Sequence, residues 1–144
     1  MLTPRSFPTS TPLNVYTSPM SYSSALLAGQ HIVVTGGGTG LGRSMAMRFA
    51  EHGAAVTICG RRTEPLETTV GDIREAGGQA EGSSCNLREA DSVVAFFEEA
   101  EERQGPVTGL VNNAAANFLA PSHTLSPNGI DAIVKTNLYG SFYA

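Results

Sequence analysis

Residues 35–42 read Thr-Gly-Gly-Gly-Thr-Gly-Leu-Gly, and five of these eight positions are glycine. The apolar run Ile32, Val33, Val34 precedes them, and residues 43–50 follow with the spacing of an amphipathic helix. A strand, a turn too crowded for side chains and a helix in immediate succession leave few folds open. They also bring backbone N–H groups to a helix N-terminus, where the partial positive charge favours an anion such as phosphate.

Around that stretch, strand and helix patterns alternate. Residues 31–35 read as a buried strand, and Leu41, Met45 and Phe49 as the inner face of a helix that stops at Gly53. Residues 54–59 are β-rich. Thr63 is the expected N-cap of a second helix with Leu66, Val70 and Ile73 inward, closed by Gly77 and Gly78. A third strand is expected over residues 79–85. The helix after it turns Val93, Phe96, Phe97 and Ala100 inward and carries Glu98, Glu99, Glu101 and Glu102 as a solvated face, ending at Gly105-Pro106. A fourth strand, residues 107–111, runs into Asn112-Asn113-Ala114-Ala115-Ala116. Ser126-Pro127 supplies an N-cap and a proline at the first helical position, for a last helix with Ile130, Ile133, Val134 and Asn137 on one stripe.

Four strands alternating with helices, with no hairpin signal between them, predict an α/β fold. It is a doubly wound parallel sheet of Rossmann type with strand order 3-2-1-4, truncated after the fourth strand and its helix. In such a sheet ligands bind beyond the carboxyl ends of the strands, at the switch between the first strand and the fourth. The glycine loop and the paired asparagines both fall there.

A chain of 144 residues is enough for one domain, placed at residues 29–144 as a partial Rossmann domain. Residues 1–28 differ from it: Pro4, Pro8, Pro12 and Pro19 punctuate a Ser- and Thr-rich segment, and the first acid of the chain is Glu51. A disordered or loosely packed extension is expected there. Arg5 alone does not make a transit peptide, and Met20 offers a second start.

With 13 acids against 9 Lys and Arg, the net charge of −4 leaves no basic field for a nucleic-acid backbone. No run approaches the roughly 20 apolar residues of a membrane span, so a soluble protein with no membrane partner is expected. Cys59 and Cys85 fit no zinc or redox spacing. Buried free thiols in a reducing compartment are expected, the cytoplasm or more weakly an organellar matrix, with no metal site.

Read as a dinucleotide loop, the glycines permit the tight turn, let the backbone approach a pyrophosphate and allow close helix packing. The P-loop pattern also fits residues 37–44 except at Arg43, where a lysine belongs. No later strand ends in an aspartate placed to hold magnesium. The second strand ends Cys59-Gly60-Arg61-Arg62, with no carboxylate for a ribose 2′-OH. Arg61, with Arg62, suits a 2′-phosphate and so NADP(H) over NAD(H); arginines merely solvated in a turn are the alternative. Asn112 and Asn113 can bond strand ends at the switch point or form an ordinary turn. Asn137, on an apolar stripe, needs partners for its amide, in either a structural or a functional role.

Together, Thr35-Gly36-x-x-x-Gly40-x-Gly42, Gly60-Arg61-Arg62, Asn112-Asn113-Ala114 and Lys135-Thr136-Asn137-Leu138-Tyr139-Gly140 resemble the classical short-chain dehydrogenase/reductase family. Four motifs in the right order and spacing, from about residue 28 onward, carry the likeness. It implies an oxidoreductase domain for hydride transfer between NADP(H) and a carbonyl, alcohol or enoyl group of a small molecule, in a homo-oligomer when full length. The cofactor contacts implied are Thr35, Gly36, Gly38, Thr39, Gly40, Leu41 and Gly42 on the first loop and Arg61 and Arg62 on the second. Asn86 and Leu87 would supply contacts after the third strand, and Asn113, Ala114 and Ala115 after the fourth. Asn137 matches the family's catalytic asparagine, which organises a water linked to the catalytic lysine.

Two positions depart from the family pattern: Asn86 stands where an aspartate is usual, and Ala115 where a glycine is common. Residues 117–121 and 125–129 are similar to the branch containing 2,4-dienoyl-CoA reductases, although that branch does not typically keep the asparagine matched by Asn137. The family's catalytic serine and Tyr-x-x-x-Lys find no match in the 144 residues, since neither Tyr139 nor Tyr143 precedes a lysine by four. The chain alone is therefore expected to be inactive. A nucleotide-binding module without turnover is the alternative.

Overall fold

The computed structural model describes residues 23–144, so residues 1–22 of the proline-rich extension lie outside the described residues. The elements follow as β1 (His31–Thr35), α1 (Gly40–Glu51), β2 (Ala55–Gly60), α2 (Thr63–Glu75), β3 (Gln79–Ser84), α3 (Ala90–Gln104), β4 (Gly109–Val111), α4 (Pro127–Val134) and α5 (Gly140–Tyr143). A π-helical turn, Lys135–Tyr139, joins α4 to α5.

All four strands pair in parallel, in the order β3-β2-β1-β4. β1 is the central strand and every one of its residues is buried. Its two-residue period divides the core. Ile32 and Val34 point to one face, where Ala46 and Ala50 of α1 and Leu66, Val70 and Ile73 of α2 cover them. Val33 points to the other, among Cys59, Cys85, Leu87 and the Val93 and Phe96 of α3. The expected fold is the observed one.

Local details differ from these expectations in three places. The face of α1 against the sheet is Gly42, Ala46 and Ala50, one position on from the expected Leu41 and Met45. Leu41 is 78% exposed, and Phe49 only flanks the core. The helix approaches β1 so closely that only small residues fit between them. α2 begins at Thr63 itself, with Arg62 in extended backbone at the N-cap and no side-chain cap. β4 is three residues long rather than five, although Thr108 still bonds His31, backbone N–H to carbonyl, at 2.9 Å. Ser126 does cap α4, accepting from the Gly129 N–H at 3.1 Å, with Pro127 in the first turn.

The apolar stripe of that last helix is only partly covered: Ile130 is 48% exposed, and Leu138, Tyr139 and Phe142 are exposed as well. Among the described residues β4 pairs only with β1 and forms an edge. At the amino end of the sheet, His31 Nδ1 donates to the Gly105 carbonyl at 2.7 Å, and its Nε2 lies 2.8 Å from the Thr57 hydroxyl. Gln104 Nε2 also donates to that hydroxyl at 2.6 Å. No helix among the described residues is long and apolar enough to cross a membrane.

Candidate functional site

At the carboxyl ends of the four strands the connecting loops enclose a cleft of about 720 Å³. Its floor is the glycine loop. Gly36 has φ +69° and Gly40 φ +55°, left-handed values that a residue with a Cβ adopts only with strain. A Cβ on Gly36 would stand 3.0 Å from the Ala114 Cα, and one on Gly42 would overlap the Gly36 carbonyl oxygen. The loop can therefore lie flat against the segment after β4 only as glycine. Thr39, the N-cap of α1, makes no side-chain cap, and the first turn contains no acid. Leu41 and Gly42 of that turn line the cleft, so the leading amides of α1 reach it with no competing carboxylate.

Buried hydroxyls and amides hold the loop in place. Thr35, 1% exposed, accepts at Oγ1 from the N–H groups of Asn113 and Ala114, both at 3.1 Å, and donates to the Val111 carbonyl at 3.3 Å. Asn113 Nδ2 returns a bond to the Thr35 carbonyl at 2.9 Å and approaches that of Gly36 at 3.4 Å. Thr69 of α2 donates to the Gly38 carbonyl at 3.2 Å. β1 and β4 are thus stitched together at the point where the chain direction reverses across the sheet.

Of the residues expected at a cofactor, Gly36, Gly38, Thr39, Leu41 and Gly42 line the cleft from the first loop, and Arg61 and Arg62 from the second. Asn86 and Leu87 line it after β3, and Asn113, Ala114 and Ala115 after β4. Thr35 and Gly40 do not. Thr35 lies beneath the loop as its anchor, and Gly40 contributes its backbone conformation. Asn137 is exposed rather than sunk in the apolar stripe, and it is not at the cleft wall. Its Oδ1 accepts from the Ala116 N–H at 2.7 Å and its Nδ2 donates to the Ala116 carbonyl at 3.0 Å, so one side chain satisfies both backbone groups of that residue. Asn112 Nδ2 donates to the Ser141 carbonyl at 3.3 Å, tying the same segment to α5. Sequence reasoning missed Gly60, Pro65, Leu66, Cys85, Arg88, Ala116 and Thr136 as lining residues.

Cys59 and Cys85, free and buried, interact across the ends of β2 and β3. The hydrogen bond from the Cys59 thiol, helped by the Ser92 hydroxyl 3.8 Å away, lowers the Cys85 thiol from 9.0 to about 7, against the opposing effect of burial. Cys59 is pushed up by that same bond and by burial. Between pH about 7 and 9 the unfolded chain holds a proton at Cys85 that the folded chain releases. Stability is therefore expected to rise across that window and to be lost as pH falls through about 7. Above it, Cys59 works in the opposite direction, since the unfolded chain gives up a proton that the folded chain keeps. Urea midpoints across this range should show the rise in the wild type and lose it in Cys85→Ala; identical slopes would contradict it.

The sequence pattern of the family described as short chain dehydrogenase matches residues 30–144. The chain is 36% identical over 117 residues to a peroxisomal 2,4-dienoyl-CoA reductase of Arabidopsis thaliana, covering 81% of this chain and 39% of that protein. A citronellol catabolism dehydrogenase of Pseudomonas aeruginosa PAO1 superposes with a TM-score of 0.79 at 38% identity, over 85% of this chain and 50% of the other. A metagenomic short-chain oxidoreductase crystallised with NADP superposes at 0.77 and 36% identity, over 81% and 53%. The chain thus spans about half, or less, of the length of the relatives it matches. By the match over residues 30–144 and by the overall superposition on solved members, the chain belongs to the short chain dehydrogenase family.

Proposed function

We propose that the cleft binds NADP(H) and that the whole protein is an oxidoreductase acting on a carbonyl, alcohol or enoyl group of a small molecule. The observation that carries the cofactor reading is the pair Arg61 and Arg62 at the end of β2, lining the cleft with no carboxylate partner and with no acid where a ribose 2′-OH would need one. The glycine floor and the uncapped first turn of α1 fit a pyrophosphate, because the backbone can approach it where no Cβ intervenes. The NADP complex of a relative 36% identical supports the same choice.

Bound there, NADPH would supply a hydride. The residues of this chain bind and orient. Gly36, Gly38, Thr39, Leu41 and Gly42 shape the phosphate floor, Asn86 and Leu87 wall the adenine end, and Asn113, Ala114 and Ala115 form the side toward β4. Asn137 fixes the Ala116 backbone, and through it the course of the chain past the cleft.

The test is a calorimetric titration of the chain with NADPH and NADH, for wild type and Arg61→Ala. Wild type is expected to favour NADPH. Arg61→Ala should lose about 10- to 100-fold in NADPH affinity, the range for charge-assisted hydrogen bonds to phosphate, with little change for NADH. Equal affinity of the wild type for both cofactors would overturn the proposal.

A further inference from the structure

The distribution of ion pairs singles out one more residue. Among the described residues, Arg43, Arg48, Arg74, Arg103 and Lys135 each sit within 2.5–2.8 Å of a carboxylate. The three cations left without one are Arg61, Arg62 and Arg88, and all three line the same cleft. In a chain of net charge −4, with acids available to every other described cation, this makes a local positive rim in an otherwise acidic molecule.

The topology explains how they meet. β2 and β3 are adjacent and in register to their last residues, Gly60 opposite Ser84, and the Cys85 N–H then bonds the Gly60 carbonyl at 3.0 Å. The loop carrying Arg61 and Arg62 and the loop carrying Arg88 therefore leave the sheet side by side.

Asn86 keeps Arg88 uncompensated. Its Oδ1 accepts from the Arg88 N–H at 3.3 Å, an Asx turn, while its Nδ2 donates to Glu89 Oε1 at 2.6 Å. The acid next to Arg88 in sequence is thus held by a neutral amide and not by the guanidinium beside it. An aspartate at position 86 would release Glu89 by like-charge repulsion and add a second carboxylate within reach of Arg88.

We propose that Arg88 is a specificity-determining residue for an adenosine ligand with an additional ribose phosphate, and that Asn86 is the positioning residue that keeps Arg88 free to meet that phosphate. This rests on the NADP(H) reading of the cleft and deepens it. Arg61 and Arg62 approach the phosphate from the β2 loop, and Arg88 adds a third cation from the β3 loop. The neutral residue at position 86 keeps the rim cationic.

The test uses 2′,5′-ADP and 5′-AMP as probes, titrated by calorimetry into the wild-type chain, Arg61→Ala, Arg88→Ala, Arg88→Lys and Asn86→Asp, at low and at high salt. Arg88→Ala is expected to weaken 2′,5′-ADP about fivefold or more while 5′-AMP stays within about twofold, and Asn86→Asp to weaken 2′,5′-ADP by a clearly larger factor than it weakens 5′-AMP. Arg88→Lys should keep part of the preference, because the charge remains. The differences should shrink at high salt, as exposed charge interactions do, which a merely structural change would not produce. A wild type that does not distinguish the two probes overturns the NADP(H) reading itself. A wild type that does, with Arg61→Ala weakened and Arg88→Ala unchanged or weakened equally for both probes, overturns only the role of Arg88.

Discussion

Replacing Gly42 with alanine is expected to cost about 3 kcal/mol or more of folding stability, the upper range for overpacking a rigid contact. The added methyl would overlap the Gly36 carbonyl oxygen and stand 2.6 Å from Asn113 Nδ2. Neither can give way cheaply. Gly36 is held by the bond from its N–H to the Cys59 carbonyl at 2.8 Å, and Asn113 by its bond to Thr35. α1 would have to lift from the sheet, taking with it the contacts of Ala46 and Ala50. Gly40→Ala is the control. Its φ of +55° costs alanine about 1 kcal/mol, but nothing lies within 4 Å of the new Cβ. Urea denaturation of both variants decides the matter: similar midpoints would show that the close approach at Gly42 does not govern stability.

Thr35→Val is the second large effect. The substitution keeps the side chain's shape and leaves no cavity, so its cost isolates the hydroxyl. The half-buried Ala114 N–H would lose its acceptor, while the Asn113 N–H and the Val111 carbonyl would keep only their bond to each other, at 3.0 Å. At about 1–3 kcal/mol for a group left unsatisfied, a loss of about 2 kcal/mol is expected, together with loosening of the β4 segment and weaker NADPH binding. Thr35→Ser keeps the hydroxyl and should recover most of it. If valine and serine variants melted alike, the bonding role assigned to Thr35 would be wrong.

How legible the sequence was depends on the kind of interaction. The order of elements and the 3-2-1-4 sheet followed from alternation and from the glycines, because burial pattern and left-handed backbone are local properties that composition reveals. The cleft followed too, since a parallel sheet places every β-to-α loop at one end, and most of the expected cofactor residues line it. The inner face of α1 did not. Leu41 and Met45 are more apolar than Gly42 and Ala46, and periodicity alone cannot tell that a helix touches a strand so closely that size outranks hydrophobicity.

Long-range polar bonds were equally hidden. Nothing near His31 in sequence announces Thr57 and Gln104, and Asn137 gave a choice of roles until its two bonds to Ala116 were seen. Nothing in the sequence sets Arg88 apart from the other arginines. Only the pairing of every described Lys and Arg outside the cleft makes its lack of a carboxylate informative.

The placement of β1 between β2 and β4 also sets an order of assembly. β2 reaches β1 across one helix, whereas β4 is brought in over a separation of 77 residues at the His31–Thr108 bond. The longer closure carries the greater entropic cost, and a three-residue edge strand returns little pairing for it. The β1-β2-β3 unit with α1 and α2 is therefore expected to form first and β4 to dock last. Pulsed hydrogen exchange during refolding should protect Val56 and Ile58 before Val111. The cleft, whose glycine floor comes from the early unit and whose far wall is the segment after β4, would then be completed only when β4 docks.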